Sequence, residues 1–420
     1  MKYGCIGEHL KHSFSAEIHH ALSENPYEIC EVPRDELDAF MQKRDFLGIN
    51  VTIPYKEFVI PHLDWMSEQA KSIGAVNTVV NRDGKLYGYN TDFFGMSDLI
   101  RRVGVEPEGK KVAVLGTGGT ARTALAVARS MKCKTLLCVS RGGKEGSITY
   151  DDLYRDHADT QIVINTTPCG MYPYPDGNDR TAAAAINVDA FPNLEGVIDA
   201  VYNPLRPKLV TDAQKRSVRA EGGLYMLVAQ AVRASEIFLN CTYSQETVER
   251  VYSQILRQKE NIVLTGMPGS GKSSVGKRLA MLLNREFFDL DEEIVRVAGC
   301  SIPEIFARDG EQGFRDLETA VLRDCLAQKN GVVLATGGGA ILREENVDRL
   351  RRNGHIYFLD RSLELLLPTE DRPLASSATA IRKRYEERYA RYCATADCRI
   401  EGDGSVEQVA DAVRKDFEAL

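Results

Sequence analysis

The stretch Asn261-Ile-Val-Leu-Thr-Gly-Met-Pro-Gly-Ser-Gly-Lys-Ser-Ser274 holds the residues whose types and spacing speak most directly of chemistry. It reads G-x-x-x-x-G-K-S between an apolar run, residues 262–264, and a helical stretch bearing alanine and leucine. In that setting Gly266, Gly269 and Gly271 let backbone N–H groups turn inward toward phosphate oxygens, and the positive end of the following helix adds to the attraction. Lys272 would reach the outer phosphates of ATP, the Ser273 hydroxyl would coordinate Mg²⁺, and Ser270 and Ser274 belong to the same cradle. A second turn, Gly116-Thr-Gly-Gly-Thr-Ala121, follows the apolar run 110–115 and opens an alanine-rich helix reaching Met131. A glycine turn after the first strand of a parallel sheet is where a dinucleotide pyrophosphate sits, which makes Gly116, Gly118 and Gly119 cofactor candidates. The next strand ends Val139-Ser-Arg141 and is followed by Gly142-Gly-Lys144. An NAD site carries Asp or Glu there for the ribose 2′-hydroxyl, whereas Arg141 and Lys144 suit a 2′-phosphate, so NADP(H) is the expected cofactor.

These turns require particular elements around them. The phosphate turn must open a domain on its first strand, which places a domain start near residue 260. Ahead of it, short apolar strands at 135–139, 161–165 and 196–199 alternate with helices or loops, the pattern of a doubly wound parallel sheet. Residues 1–100 mix strands such as 48–53 with helical stretches at 35–44 and 63–73. The junction 255–261 is not enriched in Pro, Gly or Ser, so a helix should run almost directly into the next strand. The expected class is α/β throughout. At 420 residues the chain has room for two or three domains, and 43% hydrophobic with 27% charged residues is an ordinary globular composition. A net charge of −7 argues against nucleic-acid or anionic-membrane partners. With no run of 18 apolar residues and no signal-like N-terminus, the expected location is cytoplasmic. The ten cysteines form no C-x-x-C, and the pairs Cys133/Cys138 and Cys393/Cys398 lack nearby histidines, so reduced, mostly buried thiols are expected rather than disulfides or structural zinc.

Five separated motifs carry a resemblance. His12-Ser-Phe-Ser15, Gly48-Ile-Asn-Val-Thr-Ile-Pro-Tyr-Lys56, Gly74-Ala-Val-Asn-Thr78, Asn90-Thr-Asp92 and Gly222-Gly-Leu-Tyr-Met-Leu-Val-Ala-Gln-Ala231 together resemble shikimate dehydrogenase, in that family's order, over residues 1 to about 257. The resemblance implies a substrate-binding α/β subdomain, residues 1–100 plus 224–257, and a Rossmann-like NADP subdomain, residues 101–223. It further implies NADPH-dependent reduction of 3-dehydroshikimate. Ser13 and Ser15 would hold the substrate carboxylate, Asn50, Thr52, Asn77, Asp92 and Gln230 its hydroxyls, and Lys56 with Asp92 would be the catalytic pair. Reducing a ring ketone needs a proton for the developing alkoxide, which a lysine oriented by a carboxylate supplies. Asn165-Thr-Thr-Pro-Cys-Gly-Met171, Asp199-Ala-Val-Tyr202 and Gly223 resemble the family's nicotinamide side, with Tyr202 reaching the substrate. The cofactor loop departs from the family in lacking Asn-Arg-Thr.

Residues 258–420 resemble shikimate kinase through Glu286-Phe-Phe-Asp-Leu-Asp-Glu-Glu293, Glu311-Gln-Gly-Phe-Arg-Asp-Leu-Glu318, Thr336-Gly-Gly-Gly-Ala340 and Asp371-Arg-Pro-Leu374. That implies a P-loop kinase α/β/α domain with a parallel sheet. Asp289 would help Ser273 hold Mg²⁺, and Asp291 would contact the 3-hydroxyl that is phosphorylated. Arg315 with Arg372 would clamp the ring carboxylate, and Gly338 and Gly339 would offer backbone N–H groups. The stretch between Arg361 and Arg372 is shorter than the family's lid and contains no Arg or Lys, so Arg384 or Arg388 is expected to supply the missing cation. Two other readings stay open: a dehydrogenase acting on quinate or another cyclic hydroxy acid, and one half serving as a non-catalytic regulatory module. Lys56/Asp92 and Lys272/Asp289/Asp291, all present, argue against the module. Monomer and homodimer are not distinguished.

Overall fold

The computed structural model describes the chain except residues 9, 11–13, 144, 175, 179–180, 183, 327–328 and 367–377. Two compact units result, residues 1–171 with 175–255, and residues 172–174 with 256–420.

Among the described residues the first unit holds two large sheets and a small antiparallel pair, Gly177–Asn178 with Thr181–Ala182. One has six strands in the order Tyr27–Glu31, Tyr3–Gly7, Gly48–Val51, Thr78–Arg82, Lys85–Tyr89, Trp65–Met66. Its first three strands are parallel and the next two antiparallel. The other is a five-stranded parallel sheet ordered Arg219–Glu221, Gly196–Asp199, Ile162–Asn165, Lys111–Leu115, Thr135–Val139. Its direction of winding reverses between Lys111–Leu115 and Ile162–Asn165, so a crevice opens beyond their carboxyl ends. Helix Asp92–Val103 places Met96, Leu99, Ile100 and Val103 on one face. With Tyr225 and Met226 of helix Leu224–Leu239 these pack on Val112, Val114, Ile162 and Ile198 of the parallel sheet. The 63–73 stretch is not one helix: Trp65–Met66 is a strand, and Ser67 caps a shorter helix, Glu68–Ile73, by accepting from the Ala70 N–H at 3.2 Å. The serine offers the backbone a helix start that begins about one and a half turns later than periodicity alone suggested.

In the second unit five parallel strands run in the order Phe287–Asp289, Val333–Ala335, Asn261–Thr265, Gly354–Asp360, Cys398–Glu401. Asn261–Thr265 lies between its later neighbours, which again puts the switch point at the loop that follows it. Helix Gln245–Lys259 ends one residue before this strand, in line with the composition of the junction. Helix Ile302–Leu326 is broken at Gly310, whose φ of 69° only glycine adopts without cost.

Among the described residues no helix is long and apolar enough to cross a membrane. Nine cysteines are described and all are free, but only Cys5 is buried, against the expectation of mostly buried thiols. The reason is positional: Cys138 and Cys398 lie on edge strands, whose outer side is not covered by another strand.

Candidate active sites

In the first unit a cavity of about 700 Å³ is lined by Ser15, Asn50, Thr52, Lys56, Asn77, Asp92, Tyr202 and Gln230, with Ile53 and Met171 at its wall. Motifs scattered over more than two hundred residues thus converge. Lys56 lies in the turn after strand Gly48–Val51 and Asp92 opens helix Asp92–Val103. The Lys56 Nζ donates to Asp92 Oδ2 at 2.6 Å, with both side chains mostly buried. Asn50 is the exception to its expected role. Its Oδ1 accepts from Tyr27 Oη at 2.7 Å and its Nδ2 donates to Thr78 Oγ1 at 3.1 Å and Asn77 O at 3.3 Å, so the amide is committed to the wall rather than free for a substrate hydroxyl. Asn77 Oδ1 accepts from the Thr91 N–H at 2.7 Å, which leaves its NH₂ as the group to offer. Gln230 Oε1 accepts from Thr91 Oγ1 at 3.2 Å, and burial raises the Tyr202 phenol above its ordinary pKa. Ser13 lies outside the described residues.

The glycine turn sits at the switch point, between strand Lys111–Leu115 and helix Gly119–Ser130. Gly116 has φ 111°, and a Cβ on it would meet Thr166 Oγ1 at 2.7 Å, whereas Cβ atoms on Gly118 and Gly119 would meet open space. That open cradle at a helix N-terminus fits a pyrophosphate. Gly223 contributes differently from expectation. Its N–H donates to Val201 O at 2.8 Å and a Cβ would strike Ala200 O at 2.2 Å, so the glycine is required for close packing and its amide is not available to a cofactor. Arg141 is exposed in the turn after Thr135–Val139, and Lys144 lies outside the described residues. A second cavity, about 390 Å³, borders the same turn and is lined by Thr117, Arg122, Arg129, Glu145 and Ser147. The sequence reading passed over Arg122 and Arg129, although their i,i+7 spacing on the helix after the turn was a usable signal.

In the second unit Gly266, Gly269 and Gly271 all have positive φ, the backbone turn that directs N–H groups inward. Ser270 within it is buried, and Ser274 on the next helix is exposed. Lys272 Nζ donates to Gly266 O and Met267 O, each at 3.0 Å. Ser273 Oγ donates to Asp289 Oδ2 at 2.6 Å, bringing together the two groups expected to hold Mg²⁺, a hard-oxygen pair suited to that ion. Asp289 Oδ1 accepts from the Asp291 N–H at 3.0 Å and so fixes the start of helix Leu290–Ala298. The glycine run is built for its neighbours. A Cβ on Gly337 would lie 2.6 Å from Asp291 Oδ1 and 2.8 Å from Glu318 Oε1, one on Gly338 would press on Pro268 of the phosphate turn, and one on Gly339 would overlap the Arg315 guanidinium. Arg315 is buried and its Nη1 donates to Glu318 Oε2 at 2.8 Å. Burial raises the Glu318 carboxyl, Arg315 pulls it back down, and Asp291 pushes it up again.

Arg372 lies outside the described residues. Arg388 is buried, and its Nη1 donates to Gly338 O at 3.1 Å, a carbonyl that Tyr392 Oη also contacts. Burial lowers the Arg388 pKa, and the charges of Arg315 and Arg384 lower it further. Arg388 therefore faces the glycine run and Arg315, where an anion would relieve two crowded guanidinium groups. The sequence reading had assigned it to the nucleotide phosphates instead. Arg384 donates to Ala380 O at 3.2 Å within its own helix.

A mixed-sheet substrate subdomain, a parallel-sheet subdomain with a dinucleotide cradle, and a lysine–carboxylate pair between them define an α/β reductase. A phosphate-loop transferase fold follows. Family models for the shikimate dehydrogenase substrate binding domain and for shikimate kinase match residues 5–79 and 268–418. The NADP(+) shikimate dehydrogenase of Clostridium perfringens is 36% identical over 271 residues, covering 60% of this chain and 97% of that protein. The crystal structure of shikimate dehydrogenase 1 from Peptoclostridium difficile is similar at 31% identity and a TM-score of 0.54, covering 61% of this chain and 98% of its own. A Thermus thermophilus shikimate 5-dehydrogenase in complex with NADP(H) and shikimate is similar at 25% identity and a TM-score of 0.53, covering 60% and 99%. The chain belongs to the shikimate dehydrogenase family and carries a shikimate kinase domain after it.

Proposed function

We propose that the chain catalyses two consecutive steps: reduction of 3-dehydroshikimate to shikimate with NADPH, then phosphorylation of the shikimate 3-hydroxyl from Mg·ATP. The observation that carries the first step is the Lys56–Asp92 pair, 2.6 Å apart in a cavity otherwise lined by hydroxyls, amides and a phenol. NADPH supplies the hydride. Lys56 delivers a proton to the ring oxygen and stabilises its developing charge, while Asp92 holds the ammonium in line. Gly118 and Gly119 would hold the pyrophosphate and Arg141 the 2′-phosphate. In the second step Mg·ATP supplies the phosphoryl group. Ser273 and Asp289 would hold the metal, Lys272 would exchange its carbonyl partners for phosphate oxygens, and Asp291 would orient the attacking hydroxyl. Arg315 and Arg388, rather than Arg315 and Arg372 alone, take the ring carboxylate, since Arg388 on the Gly338 carbonyl and Arg315 against Gly339 are two buried guanidinium groups at the same glycine run. The test follows NADPH absorbance and ADP release separately, with each substrate and cofactor supplied in turn. Dehydroshikimate-dependent NADPH oxidation and shikimate-dependent ADP release support the reading, and absence of either from folded protein refutes that half.

A further inference from the structure

We infer that Asp199 is a positioning residue of the reductase site, a buried acceptor that locks the nicotinamide-side loop and the Tyr202 turn to each other. Asp199 ends strand Gly196–Asp199 beside Asn165, which ends strand Ile162–Asn165, both at the carboxyl edge of the parallel sheet. Both side chains are fully buried. Asp199 Oδ1 accepts two hydrogen bonds at 2.9 Å, one from Asn165 Nδ2 and one from the Val201 N–H. The first orients Asn165 so that its Oδ1 accepts from the Thr167 N–H at 3.0 Å and Thr167 Oγ1 at 2.7 Å, and the Thr167 hydroxyl in turn accepts from the Cys169 N–H at 3.3 Å. That chain of bonds shapes the loop leading to Met171 in the cavity wall. The second closes the turn Asp199–Tyr202, which delivers Tyr202 into the same cavity and whose Val201 carbonyl anchors Gly223 at the head of helix Leu224–Leu239. One oxygen atom thus ties three segments together.

Its partners are neutral donors. Oδ2 is buried without a hydrogen-bond partner among the described residues, and burial pushes the carboxyl up to about 7, against the smaller opposing pull of the Val201 and Asn165 bonds. Both bonds at Oδ1 come from neutral donors, so an asparagine, which keeps a carbonyl oxygen at that place, should preserve them. This inference rests on the reductase reading above.

The experiment compares the parent chain with Asp199→Asn and Asp199→Ala, measuring kcat and KM for NADPH and for 3-dehydroshikimate, with the thermal unfolding profile as the control for a folded first unit and shikimate-dependent ADP release as the control for the second. Asp199→Ala should raise KM for NADPH about tenfold or more and lower kcat, with ADP release unchanged. Asp199→Asn should stay within about threefold of the parent. Equal impairment of the two variants, or parental kinetics for Asp199→Ala, would overturn the inference. A parent chain that does not oxidise NADPH would instead overturn the reductase reading.

Discussion

In the dehydrogenase cavity most polar groups are neutral, Ser15, Asn77, Thr52, Tyr202 and Gln230 around the single Lys56–Asp92 pair. Around the kinase phosphate loop charged groups predominate, and each has a partner: Lys272 donates to backbone carbonyls, Asp289 accepts from Ser273, and Arg315 pairs with Glu318. The difference follows from what each site must hold. A hydroxylated ring that is reduced in place is bound by many modest hydrogen bonds, which a prebuilt wall supplies at little electrostatic cost. A transferring phosphoryl group needs cations and metal, and charged groups in a buried setting require partners of their own. On the proposed function the kinase site would bind by exchange of partners and the dehydrogenase site by fit.

The largest effects should come from breaking each lysine. Lys56→Ala should lower NADPH oxidation by about 10²–10⁴-fold, the range for losing a general acid, and leave shikimate-dependent ADP release unchanged. Lys272→Ala should do the reverse. Loss of both activities in either folded variant would break the comparison. Next come the two guanidiniums. Arg315→Ala and Arg388→Ala should each raise KM for shikimate by about 10–100-fold, since a charge-assisted hydrogen bond is worth about 1.5–3 kcal/mol, with KM for ATP little moved. A rise confined to ATP in Arg388→Ala would restore the lid-cation role that the short 362–371 stretch first suggested.

How much of this was legible in the sequence depended on distance along the chain. Phosphate cradles are read easily because consecutive residues build them, as in 116–121 and 266–274. Lys56 and Asp92 are 36 positions apart and became a pair only through a set of family motifs. The contact of Arg388 was not legible because its partner, Gly338, is 50 positions away, and helix periodicity says which face a side chain shares but not what that face meets. Asn50 looked like a ligand by type, yet Tyr27 and Thr78, on two other strands, claim its amide.

Smaller effects sharpen the account. With Arg141 assigned to the 2′-phosphate as proposed, Arg141→Ala should weaken NADPH binding about tenfold while NADH binding barely moves, as read by cofactor titration. Equal losses would reassign Arg141. Tyr27→Phe removes one neutral hydrogen bond to Asn50, worth about 1 kcal/mol, and should raise KM for 3-dehydroshikimate about fivefold at nearly constant kcat. A drop in kcat alone would place Asn50 in the chemistry and not in the wall.

The most direct measurement supplies the purified chain with 3-dehydroshikimate, NADPH and Mg·ATP, without shikimate, and follows NADPH and ADP together. Two working sites predict that ADP appears after a lag, that its yield equals the NADPH consumed, and that omitting NADPH abolishes it. ADP formed at the same rate without NADPH, or NADPH consumed with no ADP even after shikimate is added, would contradict the account.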